Sequence, residues 1–303
     1  MNAPNNLWRD FRGYWGHWWP VALAPLWFLL AMIVIGKVRA EHYPIVLILT
    51  FLALHSNRSR DLLLACAPGI AALAAHEVVP WLRPYFVVEG RIWGCELQRL
   101  DATLFSFGTG LAPPDLLSPH HSPAADLFFA LPYTLFWAVV VIYAVLLYFR
   151  DLPTMRRFLW LLALIHLAAM VLWLALPSAP PWYVRDHGCM INPEALPSAA
   201  GLAHLDERFG ITYFAEFYSR APTAFGALPS LHVAFPVAAL FAAWSSTALP
   251  GRAVLLALSG WMVLASVYLD HHWLIDGMVS ILLIAVFHVV LWTLWPRYRD
   301  RAH

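Results

Sequence analysis

The sequence predicts an all-α fold, a polytopic membrane helix bundle of about eight spans. Three observations carry that prediction. Of 303 residues, 61% are hydrophobic and only 12% charged, whereas soluble domains sit at about 45–50% apolar and about 25% charged. Apolar residues gather into runs approaching the roughly 20 residues that a bilayer-crossing helix needs. Arginines concentrate in alternate connections between those runs.

In chain order the runs cover 20–37, 43–56, 61–80, 125–149, 158–176, 230–249, 253–270 and 274–295. Arg9, Asp10 and Arg12 precede Trp15, Trp18 and Trp19, with no small-residue cleavage site before the first run. The N-terminus therefore reads as retained, not as a signal peptide. Residues 1–60 make a tail with two accessory spans, 61–295 the main membrane domain, and 296–303 a second tail. Two polar segments rich in Pro and Gly, 81–124 and 177–229, interrupt that domain without reading as domains of their own.

Eight spans place the N-terminus, 57–60, 150–157, 250–252 and the C-terminus on one face. That face collects Arg9, Arg12, Arg58, Arg60, Arg150, Arg156, Arg157, Arg252, Arg297, Arg299 and Arg301 against Asp10, Asp61, Asp151 and Asp300. By the positive-inside rule it is cytoplasmic, and both long polar segments are extracytoplasmic. The expected location is a bacterial inner membrane. The near balance of 19 basic and 18 acidic residues argues against a nucleic-acid binder. The three cysteines show no metal or redox spacing. Cys95 and Cys189 both fall in extracytoplasmic segments, where a disulfide between them is permitted, and Cys66 lies inside a span and should stay reduced.

Two stretches concentrate chemistry: Phe225-Gly-Ala-Leu-Pro-Ser-Leu-His232 and Tyr268-Leu-Asp-His-His272-Trp-Leu-Ile-Asp276. The topology puts His232 just inside the sixth span and lets His272 and Asp276 open the eighth, at one depth on one face. His272 and Asp276 share a helix face through their i, i+4 spacing. Ionisable groups inside spans are costly and point to function. Such a trio suits phosphoryl transfer through a phosphohistidine. Asp276 would take the hydrogen of one His272 ring nitrogen and leave the other lone pair for phosphorus. His232 would protonate the leaving alkoxide, and Ser230 with the first N–H groups of the sixth span would cradle phosphate oxygens. His232, His271, His272 and Asp276 are also legitimate metal ligands, and a transporter or scaffold remains a reading from another class.

These residues resemble the type-2 phosphatidate phosphatase superfamily, whose motifs end in Ser-x-His and His-x-x-x-Asp. Within it they are most similar to the inositol phosphorylceramide synthase branch. Leu176-Pro-Ser-Ala-Pro-Pro-Trp-Tyr183, Leu196 through Gly210, and Ala221 through Ser230 support that branch, so the match runs over about 176–280. The phosphatases' Lys before an Arg-Pro pair is His76 here, ahead of Arg83-Pro84, and their Arg before the last His is Ser266. Arg83, His271 and Arg220 are the expected substitutes in phosphate binding. The resemblance implies a six-helix catalytic core and transfer of a phospho-headgroup, phosphoinositol foremost, from a glycerophospholipid donor to a ceramide-like lipid hydroxyl, with diacylglycerol released. It implies no metal or organic cofactor. The same trio would also serve a lipid-phosphate or polyprenyl-diphosphate phosphatase.

Pro180-Pro181-Trp182-Tyr183 reads either as a headgroup wall through Trp182 and Tyr183 or as a Pro-forced turn with an interfacial anchor. His120-His121 reads as a solvated loop pair. Glu89, Arg91, Glu96, Arg99 and Asp101 resemble an interfacial helix with a salt-bridged face. The 177–229 segment is long enough to fold over the trio as a lid.

Overall fold

The computed structural model describes residues 7–244 and 246–294. Helices dominate them, and β-pairing is confined to two isolated bridges. The chain forms two compact units, Met1–Ala74 and Ala75–His303. The division falls within α4 (Asn57–His76), whereas the sequence reading placed it before residue 61.

The first unit contains α1 (Leu7–Trp15), α2 (Ala24–Val34) and α3 (His42–His55). Phe11, Trp15, Ala22, Ala53 and Leu63 form its apolar centre. Gly36 at φ +68° lets Lys37 N–H reach the Met32 carbonyl at 2.9 Å, which terminates α2 as a Schellman-type cap does. Arg60 is almost fully buried and donates to the carbonyls of Ala53 at 2.9 Å and Leu54 at 2.8 Å. A cation thus satisfies the orphan carbonyls at the α3 C-terminus, where the helix dipole favours it.

The second unit contains α5 (Val79–Phe86), α6 (Cys95–Phe105), α7 (Pro113–Leu117), α8 (Pro123–Arg150), α9 (Leu152–Ala175), α10 (Pro181–His187), α11 (Ala203–Phe209), α12 (Tyr213–Tyr218), α13 (Leu231–Ala243), α14 (Leu249–Tyr268) and α15 (Leu274–Leu294). Ser122, Asp151 and Ser230 cap α8, α9 and α13 with their side-chain oxygens. The apolar α13 packs against α8, α9, α14 and α15 and is buried along most of its length. The outer faces of α8 and α15 instead expose Leu131, Leu135, Ile142, Leu282 and Val286. That is how a bundle surrounded by hydrocarbon distributes apolar side chains.

Each of the eight apolar runs contains a helix, but fewer of those helices are full-length spans. Among the described residues α8, α9, α14 and α15 are long and apolar enough to cross a membrane, and the bent pair α4 and α5 adds a fifth if it is one span. Val21–Val34, α3 and α13 are apolar but shorter. The protein is an integral membrane protein.

The two polar segments fold together. Ser178 bridges Trp93 on one side and Gly226 on the other, and a disulfide joins Cys95 to Cys189 with Cα atoms 5.4 Å apart. Val87, Ile92, Leu97, Trp182, Tyr183, Phe225 and Trp273 bury one another beneath these connections. Cys66 is a free thiol.

Candidate active site

Three histidines meet at the N-termini of α13 and α15. Pro229 and the Ser230 cap start α13, so His232 lies in its first turn. Asp270, at φ +61°, ends the α14 connection and turns His271 and His272 inward, and the His271 and His272 amides both donate to the Ser266 carbonyl. Asp276 then falls in the first turn of α15, fully buried.

The hydrogen bonds set the ring states. His272 Nδ1 lies 2.8 Å from the Ala227 carbonyl and 3.6 Å from Asp276 Oδ2. A carbonyl only accepts, so Nδ1 carries the hydrogen and Nε2 keeps its lone pair. That Nε2 faces His232 Nδ1 at 3.4 Å, and His232 Nε2 faces the Tyr218 hydroxyl at 3.4 Å. Tyr218, His232, His272 and Ala227 thereby form a proton-ordered chain with long, yielding contacts at its centre. Asp276 differs from the expected arrangement: its Oδ2 accepts from Trp273 N–H at 2.8 Å, and the ring's nearer acceptor is the Ala227 carbonyl. Asp276 Oδ1 is buried without a hydrogen-bond partner among the described residues.

Aromatic rings wall the histidines. Tyr133 stacks on His232 with centroids 4.3 Å apart and on His271 at 5.1 Å, and Tyr218 stacks on His271 at 4.6 Å. Burial, followed by the neighbouring His272, pulls His271 down to about 3. His271 is therefore neutral at neutral pH and offers phosphate no positive charge. Burial also raises the Tyr218 hydroxyl above the usual phenol range, so it stays protonated and can donate to His232 Nε2 or accept from it.

Other expected residues stand elsewhere. Ser230 is buried beside the trio, its N–H 3.3 Å from the Asp276 carbonyl and its hydroxyl occupied in capping α13. Arg83 pairs with the exposed Glu194 at 3.0 Å, and Arg220 is exposed. Trp182 and Tyr183 belong to the buried core of the connections. The Tyr183 hydroxyl donates to Met190 O and accepts from Asn192 N–H, so it braces a loop. The 177–229 segment does reach the histidines, but through Tyr218 and the Ala227 carbonyl.

Sequence reasoning missed Tyr133, Tyr218 and Ala227, because stacking partners and carbonyl acceptors carry no spacing signature. It also misplaced Asp101. This carboxylate is buried, not part of a salt-bridged surface, and accepts the N–H groups of Leu274 at 3.3 Å and Ile275 at 2.8 Å. It caps the helix that carries Asp276, and burial raises it to about 6.

The model of the PAP2 superfamily matches residues 97–290, which include every member of the histidine cluster. The chain belongs to the PAP2 superfamily. Its apolar helices and the relatives that follow make it a membrane-embedded enzyme of the lipid phosphotransferase class. It is 28% identical over 273 residues to the phosphoinositol dihydroceramide synthase of Bacteroides thetaiotaomicron, covering 86% of each chain. It is 27% identical over 240 residues to the inositol phosphorylceramide synthase of Candida albicans, covering 75% of this chain and 50% of that one. A third relative, Inositolphosphotransferase 1 of Saccharomyces cerevisiae, is 32% identical over 118 residues, 37% of this chain and 22% of that one. This chain thus spans half or less of those two fungal relatives. No solved structure matches it.

Proposed function

We propose that this lipid phosphotransferase moves a phosphorylated headgroup, phosphoinositol foremost, from a glycerophospholipid to the hydroxyl of a ceramide-like lipid, through a phosphohistidine on His272. The observation that carries this reading is the His272 ring. Its Nδ1 is tied to a carbonyl that cannot give up a hydrogen, so the Nε2 lone pair points at His232 across 3.4 Å.

In the first half-reaction Nε2 of His272 attacks phosphorus and the bond to the diacylglycerol oxygen breaks. With the anionic phosphodiester bound beside it, His232 takes up a proton and then gives that oxygen its Nδ1 hydrogen, and diacylglycerol leaves. Its Nε2–H is then held by the Tyr218 oxygen. In the second half-reaction the acceptor hydroxyl loses its proton to His232 while its oxygen attacks phosphorus. The P–N bond breaks and His272 is restored. Asp276, 3.6 Å from Nδ1, stabilises the charge that develops on the His272 ring. The Leu231 and His232 N–H groups at the start of α13 favour the phosphate oxygens, as helix N-termini do, while Ser230 holds the cap that exposes them.

We place this chemistry on the extracytoplasmic face of a bacterial inner membrane. Eleven basic residues against four acidic ones on the opposite connections support that side. The disulfide between the two long segments belongs to an oxidising compartment and supports it too.

The test is incubation of purified protein with phosphatidylinositol, with and without ceramide. Ceramide is expected to raise diacylglycerol release and divert phosphoinositol into a new lipid. Inositol phosphate as the sole phosphorylated product across a panel of hydroxylated lipids would make the protein a hydrolase.

A further inference from the structure

A second cluster of histidine and carboxylate lies apart from the catalytic one. His121 precedes α8, Asp126 lies in its first turn, and His204 lies in the first turn of α11. One ligand atom from each comes within 4.8 Å of the others. His121 Nδ1 is 2.9 Å from Asp126 Oδ1, and His204 Nδ1 is 3.6 Å from Asp126 Oδ2. Zinc–nitrogen and zinc–oxygen bonds of about 2.1 Å on a tetrahedron hold neighbouring ligands about 3.4 Å apart. The two separations, one to each oxygen of the Asp126 carboxylate, lie on either side of that value.

The other ring nitrogen of His121 supplies the second observation. Nε2 is buried, lacks a hydrogen-bond partner among the described residues, and lies 4.0 Å from Asp270 Oδ2. A neutral His121 that donates Nδ1–H to Asp126 turns a bare lone pair towards a carboxylate. A cation on Nδ1 reverses this, because Nε2 then carries the hydrogen and directs it at Asp270. That is the carboxylate–histidine–metal arrangement of ligand-orienting shells. Tyr268 completes the surroundings by donating its hydroxyl to Asp126 Oδ1 at 2.7 Å. Arg185 is ion-paired with Asp270, and the half-exposed His204 leaves one side open for water.

We propose that His121, Asp126 and His204 form a divalent metal site of the zinc class, with Asp270 and Tyr268 orienting its ligands. Two imidazoles and one carboxylate with an open fourth position suit zinc, whereas magnesium and calcium prefer all-oxygen sites. The ion would fasten α11 to the start of α8. Through His121 and Asp270 it would also brace the turn that carries His271 and His272.

The experiment uses full-length protein without a histidine tag, stripped with EDTA in detergent and dialysed against zinc chloride. Elemental analysis should find about one zinc per chain, and zinc should raise the thermal midpoint. His204→Ala, an exposed position that does not threaten folding, should lose both the ion and the shift, while His272→Ala should keep them. Tyr268→Phe should weaken zinc binding by about 10- to 100-fold. Wild-type protein that binds no zinc would overturn the proposal. Zinc retained by His204→Ala, or lost with His272→Ala, would overturn it as well.

Discussion

The two histidine clusters use the same residue types and differ in what holds the ring. His272 is tied at 2.8 Å to a neutral carbonyl, with Asp276 standing off at 3.6 Å. His121 is tied at 2.9 Å directly to Asp126, whose same oxygen also accepts from Tyr268. A carbonyl fixes the tautomer and leaves the opposite nitrogen nucleophilic. A carboxylate shared with a second imidazole is instead a donor set for a cation. The walls differ in the same sense: Tyr133 and Tyr218 enclose the first cluster, whereas His204 stands half exposed in the second. Group transfer needs water kept away, and a metal site does not.

The largest effect expected short of losing the nucleophile is that of His232→Ala. Removing the general acid should cost on the order of 10²–10⁴-fold in turnover, measured as diacylglycerol release, with the protein still folded. A tenfold loss or less would remove His232 from the proton path and sink the relay through Tyr218. Asp276→Asn comes next. Where a triad loses its carboxylate and the ring adopts the wrong tautomer, the loss is ~10⁴-fold. The Ala227 carbonyl keeps the correct tautomer here, so the loss should fall well below that figure. A full ~10⁴-fold loss would show that Asp276, not the carbonyl, orients His272.

The smallest effect concerns Asp101, which braces α15 from the adjoining segment. Its carboxyl is raised to about 6, against about 4 in an unfolded chain. Between those values the folded protein holds a proton that the unfolded chain has released. Stability from this group is therefore full below about pH 4 and declines as pH rises through 6. The thermal midpoint of wild type relative to Asp101→Asn should accordingly fall from pH 4 to pH 7. A difference that grows over that range would mean that the carboxylate, not the acid, is the favoured buried form.

The helical architecture was legible because hydrocarbon permits few backbone solutions, and apolar runs broken by Pro and Gly mark where helices stop. Helix length was less legible, since Gly36 ends α2 and α13 stops at Ala243 inside runs that composition alone extends. His232, His272 and Asp276 were readable together from spacing and topology. Arg83 and Arg220 were named for their charge, and charge does not reveal a partner such as Glu194. His121 reads from sequence as a solvated loop residue because its partners Asp126, His204, Tyr268 and Asp270 are assembled only by the fold. Trp182 and Tyr183 were ambiguous between wall and core, and core burial against Phe225 and Trp273 claimed them.

The central claim is that the His272 Nε2 lone pair takes the phosphoryl group. Its most direct measurement is trapping of phosphoprotein from headgroup-labelled phosphatidylinositol by an alkaline detergent quench, followed by peptide mapping under conditions that preserve phosphohistidine. The account predicts an acid-labile, alkali-stable label on His272 that ceramide discharges and that His272→Ala lacks. Label on another residue, or undiminished lipid product in His272→Ala, would contradict it.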